Sequence, residues 1–341
     1  MPVCAGTGWN YPLGIASWKL GPALACGNTV VIKSSEQTPL SILYFANLVA
    51  DAGFPPGVVN IINGHGSEAG AALVQHPQVD KVAFTGSTAT GKQIMNLASR
   101  TLKNITLETG GKSPLIIFDD ADLQNAVHAA YFGAMGNMGQ ICTATSRVFV
   151  HERIYDSFMD AFVAHATRIS VIGDPFDSRT SHGSQVSKQQ FDKILAYVQA
   201  AKEEGATVIA GGTVAENRPN NKGFFISPTV VGDARPEMRV YREEIFGPFG
   251  VFVKFKDEEE VVKMANDTDY GLAAAICTRD NTRIHRIVPK LKAGMVSVNA
   301  TNNSDFRVPF GGVKQSGIGR ELGQAGLEAY SNIKAVLMNI A

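Results

Sequence analysis

The chain lacks most of the features that would commit it to a specialised class. Its 4 cysteines, Cys4, Cys26, Cys142 and Cys277, include no C-x-x-C pair and stand at no metal-ligand spacing with the 7 histidines. Neither a disulfide framework nor a metal site is therefore expected. Charge of one sign is missing too: 31 Lys and Arg offset 31 Asp and Glu, so there is no basic field to attract nucleic acid. No uninterrupted apolar run reaches the roughly 18 residues of a membrane span, and no basic start leads into an apolar signal core. These absences point to a cytoplasmic protein with small-molecule partners. The abrupt start leaves room for a targeting segment upstream. With 341 residues the chain has length for about two domains.

What is present is a regular alternation. Short apolar runs at 29–33, 58–63, 79–84 and 105–108 read as strands, and the stretches between them, 39–52, 69–75 and 88–99, have helical spacing. Such βαβα order predicts an α/β protein with a mostly parallel, doubly wound sheet, whose ligands sit at the carboxyl ends of the strands. Lys33, Glu36, Gly86, Ser87, Glu108 and Gly110 all fall at such ends, where they could share one crevice. A second set follows, with strands at 115–118, 147–150, 251–255, 272–277 and 295–299. Its helices are expected at 123–135, 154–169, 186–204, 258–265 and 282–291, with loops at 173–184 and 215–222. Repeats and low-complexity segments are absent.

The stretch 107–144 holds the most suggestive chemistry. Glu108 ends an apolar run beside Gly110 and Gly111, which let the backbone turn sharply and approach a ligand, so the carboxylate could activate water. Cys142 follows Gly136 and Gly139, in a setting that leaves a sulfur open to substrate. Read alone, Cys142 is equally a buried structural thiol and Glu108 a strand end. Asn10 could donate to an oxygen carrying negative charge or simply turn the chain. Lys33 and Glu36 could flank a helix start or face a ribose, where an acidic group repels a 2′-phosphate. The run from Gly86 to Gln93 nearly spells a P-loop, but Gln93 stands where a hydroxyl should hold Mg²⁺. A P-loop-like nucleotide-binding enzyme is the rival class.

Taken together, LETGGKSP at 107–114 and GQICTA at 139–144 resemble the two signatures of the aldehyde dehydrogenase superfamily. Further matches run in order along the chain: WNYP at 9–12, KSSEQTP at 33–39, FTGST at 84–88, EEIFGP at 243–248 and PFGGVKQSGIGRELG at 309–323. The resemblance implies a Rossmann-type parallel-sheet cofactor domain over 1–110 and an α/β catalytic domain over 111–312. A return segment with a C-terminal oligomerisation strand would take up 313–341. Members of the family begin earlier, so an N-terminal segment is expected to be missing. A truncated, non-catalytic relic that binds full-length subunits is thus the alternative to an active enzyme.

The implied activity is NAD(P)-dependent oxidation of an aldehyde to a carboxylic acid, through a cysteine thiohemiacetal and a thioester. Residue by residue, the resemblance makes Cys142 the nucleophile and Glu108 the base for water. Asn10, with the backbone N–H of Cys142, would form the oxyanion hole. Lys19 lies near the same site, and Glu321 belongs to the water and proton path behind it. Cofactor contacts fall to Thr7, Gly8, Trp9, Lys33, Ser35, Glu36, Gly86, Ser87, Thr109, Gly110, Glu244 and Phe246. Among these, Lys33 and Glu36 take the adenosine ribose, Gly86 and Ser87 the pyrophosphate, and Glu244 and Phe246 the nicotinamide end. NAD is expected, with NADP possible; the departure from the family pattern is Ser34, where a proline commonly stands. Tyr11, Trp18, Ile141, Thr143 and Phe310 would line the aldehyde channel, joined by Met138 and Phe306. An apolar to aromatic channel suits short aliphatic or quaternary-ammonium aldehydes. Family members form homo-oligomers through the strand matched by 331–340; neither nucleic acid nor membrane is an expected partner.

Overall fold

The computed structural model describes residues 1–216, 219 and 222–340. Within the loop expected at 215–222, residues 217, 218, 220 and 221 lie outside the described residues. The chain divides into two compact units, Met1–Glu108, Ser304–Gly311 and Gly317–Ala341 forming unit 1, and Thr109–Asn303 with Gly312–Ser316 forming unit 2. The segment expected as a separate C-terminal piece is thus divided between them.

Unit 1 begins with strands β1 (Pro2–Gly6), β2 (Thr29–Lys33), β3 (Val59–Ile62), β4 (Lys81–Thr85) and β5 (Asn104–Glu108). Helices α1 (Pro12–Ala25), α2 (Leu40–Asp51), α3 (Ala71–Gln75) and α4 (Thr88–Ala98) connect them. The strands are buried on both faces, as parallel sheets require. Val3, Ala5, Val30 and Ile32 pack on Ala16, Leu20 and Ala23 of α1 and Ile42 of α2, whereas Cys4, Val82 and Leu107 meet Val74 and Ile94 on the opposite face. Ser87 caps α4 by accepting from the Thr90 N–H at 3.2 Å, the side-chain bond that makes serine a good helix start.

Unit 2 contains strands β6 (Pro114–Ile117), β7 (Arg147–His151), β8 (Thr207–Ala210), β9 (Thr229–Gly232), β10 (Phe249–Phe255), β11 (Ala273–Cys277) and β12 (Met295–Val298). Its helices are α5 (Leu123–Met135), α6 (Tyr155–Ile169), α7 (Lys188–Glu203), α8 (Arg239–Arg242), α9 (Glu258–Asn266) and α10 (Asn281–Ile287). They form a seven-stranded sheet in the order β12-β11-β6-β7-β10-β9-β8, parallel except for β8. The chain then returns to unit 1 with β13 (Gly317–Ile318) and α11 (Gly323–Glu328), and β13 pairs antiparallel with β5. Unit 1's sheet order is β13-β5-β4-β1-β2-β3, with the topological switch between β1 and β4.

Several details differ from the sequence reading. The expected helix 69–75 splits into a π turn, Gly66–Gly70, and the short α3. The helix expected to reach 291 stops at Ile287 and continues as a 3₁₀ turn, Val288–Lys290, because Pro289 has no N–H for the ladder. Residues 331–340 are exposed and form neither helix nor strand in the chain by itself. No helix is long and apolar enough to cross a membrane, and no cluster of potential metal ligands occurs among the described residues.

Candidate active site

In unit 1, parallel pairing of β1, β2, β4 and β5 aligns their carboxyl ends along one edge. Thr7, Lys33, Gly86 and Glu108 stand there, tied by backbone bonds from Thr7 N–H to the Lys33 carbonyl (3.3 Å) and from Gly86 N–H to the Glu108 carbonyl (3.1 Å). Lys33 reaches forward to Glu36 at 2.8 Å. Thr38 fastens the Trp9 carbonyl at 3.1 Å, and Asn10 Oδ1 lies over Gly8, where a Cβ would come within 3.1 Å of it. Ser35 accepts from the Gln37 N–H at 3.3 Å, which shapes the turn that carries Glu36. The switch between β1 and β4, followed at once by the capped start of α4, is the arrangement that receives a dinucleotide pyrophosphate. A P-loop is excluded by the same geometry. Gly91 and Lys92 lie inside α4, which already begins at Thr88, whereas a P-loop needs them in a loop that wraps the phosphates.

Behind that edge is a charged interior. Lys19, on α1, and Glu321, just before α11, form an ion pair at 0% and 1% side-chain exposure. Glu108 is 2% exposed, and neither carboxylate oxygen has a hydrogen-bond partner. Burial pushes the Glu108 carboxyl well above the ordinary range; the Glu321 charge adds to the shift, while Lys19 and Arg320 oppose it. Gly311, at φ +150°, passes so close that any Cβ would meet Glu108. Trp18 and Phe310 pack at a tilt of 56° with ring centroids 4.8 Å apart, and Phe310 exchanges two backbone bonds with Glu321 at 2.7 and 2.8 Å. Tyr11 and Phe306 are largely exposed, at 45% and 77%.

In unit 2, the half-buried Cys142 follows α5 through a tight turn, Gly136–Gly139, in which Asn137 and Met138 take left-handed φ values of 46° and 55°. Gly139, at φ +69°, lies against the Gly247 carbonyl, and Gly111 lies against the carbonyl of Cys142 itself; a Cβ at either would collide. Gly111 of the first signature therefore clears space for the cysteine loop of the second. Glu244 Oε1 accepts from the Gly111 N–H at 3.0 Å, and its carboxylate abuts Gly110. Burial raises the Glu244 carboxyl, with the Gly111 N–H and the charges of Lys193 and Lys112 acting the other way. Phe246 is held at φ +62°, a costly conformation for a bulky residue. Ile141, Glu244 and Phe246 line one cavity with Gly111. Thr109 donates to the Gln315 carbonyl at 2.8 Å, and Thr143 commits its hydroxyl to Asn302 at 2.9 Å.

The sequence reading did not single out Lys81, Lys112, Arg147, Lys193 or Tyr330, all of which bear on these groups. A signal was available for Lys81 and Arg147: each opens an otherwise apolar strand, KVAFT and RVFVH. Gly317 and Ile318 form the short strand that edges β5. At Gly317, φ is +141° and a Cβ would strike the Leu107 carbonyl.

The architecture is that of an α/β protein with a dinucleotide-type sheet in one unit and, in the other, a sheet whose β7 follows the thiol-bearing loop. The model of the aldehyde dehydrogenase family matches residues 2–336, and the chain belongs to that family. It is 52% identical over 333 residues to the human mitochondrial aldehyde dehydrogenase, covering 97% of this chain and 63% of that protein. An aldehyde dehydrogenase of Emericella nidulans is 52% identical, with 96% and 65% covered. Among solved structures, the NAD⁺ complex of aldehyde dehydrogenase from Bacillus cereus superposes with a TM-score of 0.97 at 49% identity, covering 100% of this chain and 68% of that one. Betaine aldehyde dehydrogenase from Staphylococcus aureus in complex with NAD⁺ gives 0.94 at 44% identity, with 96% and 65% covered. The chain spans about two thirds of the length of the curated relatives it matches, 63% and 65% for the two named.

Proposed function

We propose that the chain carries the machinery for NAD-dependent oxidation of an aldehyde to a carboxylic acid. The observation that carries this reading is Glu108: a buried carboxyl without a partner, raised by burial and by the Glu321 charge. A general base for water needs such a group, with a proton affinity brought toward the working pH.

The roles follow residue by residue. The Cys142 sulfur attacks the carbonyl carbon and forms a thiohemiacetal, while the Asn10 amide and the Cys142 N–H receive the oxyanion. NAD, when bound, supplies the hydride acceptor whose reduction leaves a thioester. Glu108 then takes a proton from the water that releases the acid. Gly86, Ser87 and the start of α4 suit the pyrophosphate, and the Lys33–Glu36 pair suits a ribose with free hydroxyls, because Glu36 would repel a 2′-phosphate. Gly110, Glu244 and Phe246 suit the nicotinamide end. The Trp18–Phe310 ring pair favours an apolar aldehyde, and homo-oligomers would form through 331–340.

The test is NADH formation from a panel of small aldehydes, with Cys142→Ala and Glu108→Gln run in parallel. Cys142→Ala should lose at least about a thousandfold in rate, as removal of a covalent nucleophile does. Glu108→Gln should give one NADH burst per site and then stall as the thioester. NADH production by Cys142→Ala at the parent rate would sink the proposal. The share of its relatives that the chain spans favours a second reading, a non-catalytic chain that associates with longer homologues. A folded parent protein that forms no NADH yet copurifies with a full-length relative would select it.

A further inference from the structure

The sheet face that bears Glu108 also bears a second buried cation. Lys81 opens β4 at 0% exposure and lies opposite Asn104 in the β4–β5 register. Side chains alternate along a strand, so Asn104, Thr106 and Glu108 share one face, with successive members about 7 Å apart. Lys81 Nζ donates to Asn104 Oδ1 at 2.9 Å and to Thr106 Oγ1 at 2.8 Å. Its side chain therefore runs from exposed Asn104 toward Glu108, with Thr106 as the intervening position. The ammonium also lies 4.9 Å from the centroid of the Tyr330 ring. The Tyr330 hydroxyl, buried without a partner, is influenced by Glu321.

Four charged side chains, Lys19, Lys81, Glu108 and Glu321, thus occupy this interior at 2% exposure or less. Lys19 and Glu321 pair directly, leaving Lys81 on neutral acceptors and Glu108 with none. A buried charge without a counter-charge is expensive, so the interior favours states in which Lys81 and Glu108 lose or gain charge together. The groups facing this set are Lys19 from α1, Arg320 and Glu321 after β13, Tyr330 after α11, and Asn104 and Thr106 from β5. Burial and then the Lys19 charge pull the Lys81 amine down to about 8, with Glu321 opposing. Lys103, at the same end of the sheet, is tied to the His76 and Val79 carbonyls at 2.7 Å each.

We propose that Lys81 is the outer member of a buried proton path that runs from Glu108 past Glu321 to the exposed edge at Asn104. The proposal rests on the reading of Glu108 as the base for thioester hydrolysis. Glu108 takes one proton from the attacking water; that proton passes to the Glu321 carboxylate and then to the neutral Lys81 amine. The ammonium gives it to solvent water beside Asn104. Every group returns to its starting form, and one proton leaves per acid released. Lys81 acts through Glu321 and touches neither substrate nor cofactor.

Two measurements on the full chain test this. The first needs no turnover: ¹⁵N NMR of the lysine side chains follows Lys81 ionisation in the parent and in Glu321→Gln. The midpoint should fall in the variant, because Glu321 supports the ammonium; an unchanged midpoint overturns the path. The second compares the NADH burst with steady-state hydrolysis across pH. Lys81→Met should keep the burst, slow hydrolysis about tenfold near neutral pH and enlarge the solvent deuterium isotope effect. Lys81→Arg keeps the charge but cannot release a proton in this range, so it should stay as slow as Lys81→Met. Full recovery with arginine would make Lys81 a fixed charge and overturn the proposal. If Lys81→Met does not fold, Thr106→Val retains the amine while removing the acceptor nearest Glu108, and hydrolysis should slow about threefold; no change would count against the path. A parent that forms no NADH would sink the proposed function, while the NMR coupling still decides whether Lys81 and Glu321 are linked.

Discussion

The two units bury positive charge in opposite ways. In unit 1, Lys19 and Lys81 share an interior with the carboxylates of Glu108 and Glu321. In unit 2, Arg147 is fully buried and its guanidinium is satisfied by main-chain carbonyls of Lys112, Met264 and Ala265 at 3.0, 3.1 and 2.9 Å. The last two belong to the carboxyl end of α9, where a cation also meets the negative end of the helix dipole. The rings of Phe149 and Tyr241 flank the guanidinium at 5.5 and 5.3 Å. The Lys112 amine, next to it, has no hydrogen-bond partner, and burial and then Arg147 pull it down to about 7. Carbonyls hold a charge but cannot take up its proton, whereas carboxylates can do both. The unit 1 cluster is therefore equipped to exchange protons, while Arg147 in unit 2 is held as a fixed charge.

Four substitutions would break or sharpen that contrast. The largest effect is expected from Lys19→Met, which leaves Glu321 buried and unpaired and should cost about 3–5 kcal/mol in urea denaturation. Adding Glu321→Leu should restore most of the loss; if it does not, the pair contributes through more than charge. Lys112→Met should do the reverse, because it removes a buried amine that forms no bond. In the folded chain Lys112 titrates near 7, and in the unfolded chain at its ordinary 10.5. Between those values the unfolded chain holds a proton that the folded chain lacks, so Lys112 makes stability rise with pH through that window. Lys112→Met should flatten the rise and be neutral or stabilising at pH 7; a destabilised variant would reveal a contact that Lys112 makes. The smallest effect is expected at Ser34, whose N–H donates to the Ile62 carbonyl at 3.1 Å and whose hydroxyl reaches Asn63 at 3.2 Å. Ser34→Pro removes both and should cost about 1–2 kcal/mol, read as a lower melting temperature.

The repeating α/β order was legible because apolar runs and helical spacing report burial locally. The strands at 29–33 and 105–108 and the helix at 123–135 lie within a residue of where their patterns put them. β8 and β9, TVIA and TVVG, were missed, although β3, β6 and β12 are equally short and were found. β13 could not be read from sequence at all: two residues become a strand only because β5 offers them an edge. Glu108, Cys142 and the glycines beside them stood out through their own chemistry. Lys81, Lys112 and Arg147 did not, since a basic residue at the start of a strand ordinarily faces water. Their burial is decided by α1, α9 and α11, elements far away in sequence.

The two glycine contacts of unit 2 have a mechanical consequence. Gly111 touches the main chain of Cys142, and Gly139 touches that of Gly247, so backbone rests on backbone with no side chain between to yield. A displacement of the loop that carries Glu244 and Phe246 must be transmitted to the loop that carries the thiol, and from there to Gly111. The three segments have little independent play. Substitutions in this region are thus tolerated only in the flanking side chains, because even one added methyl group at either seam would jam the linkage.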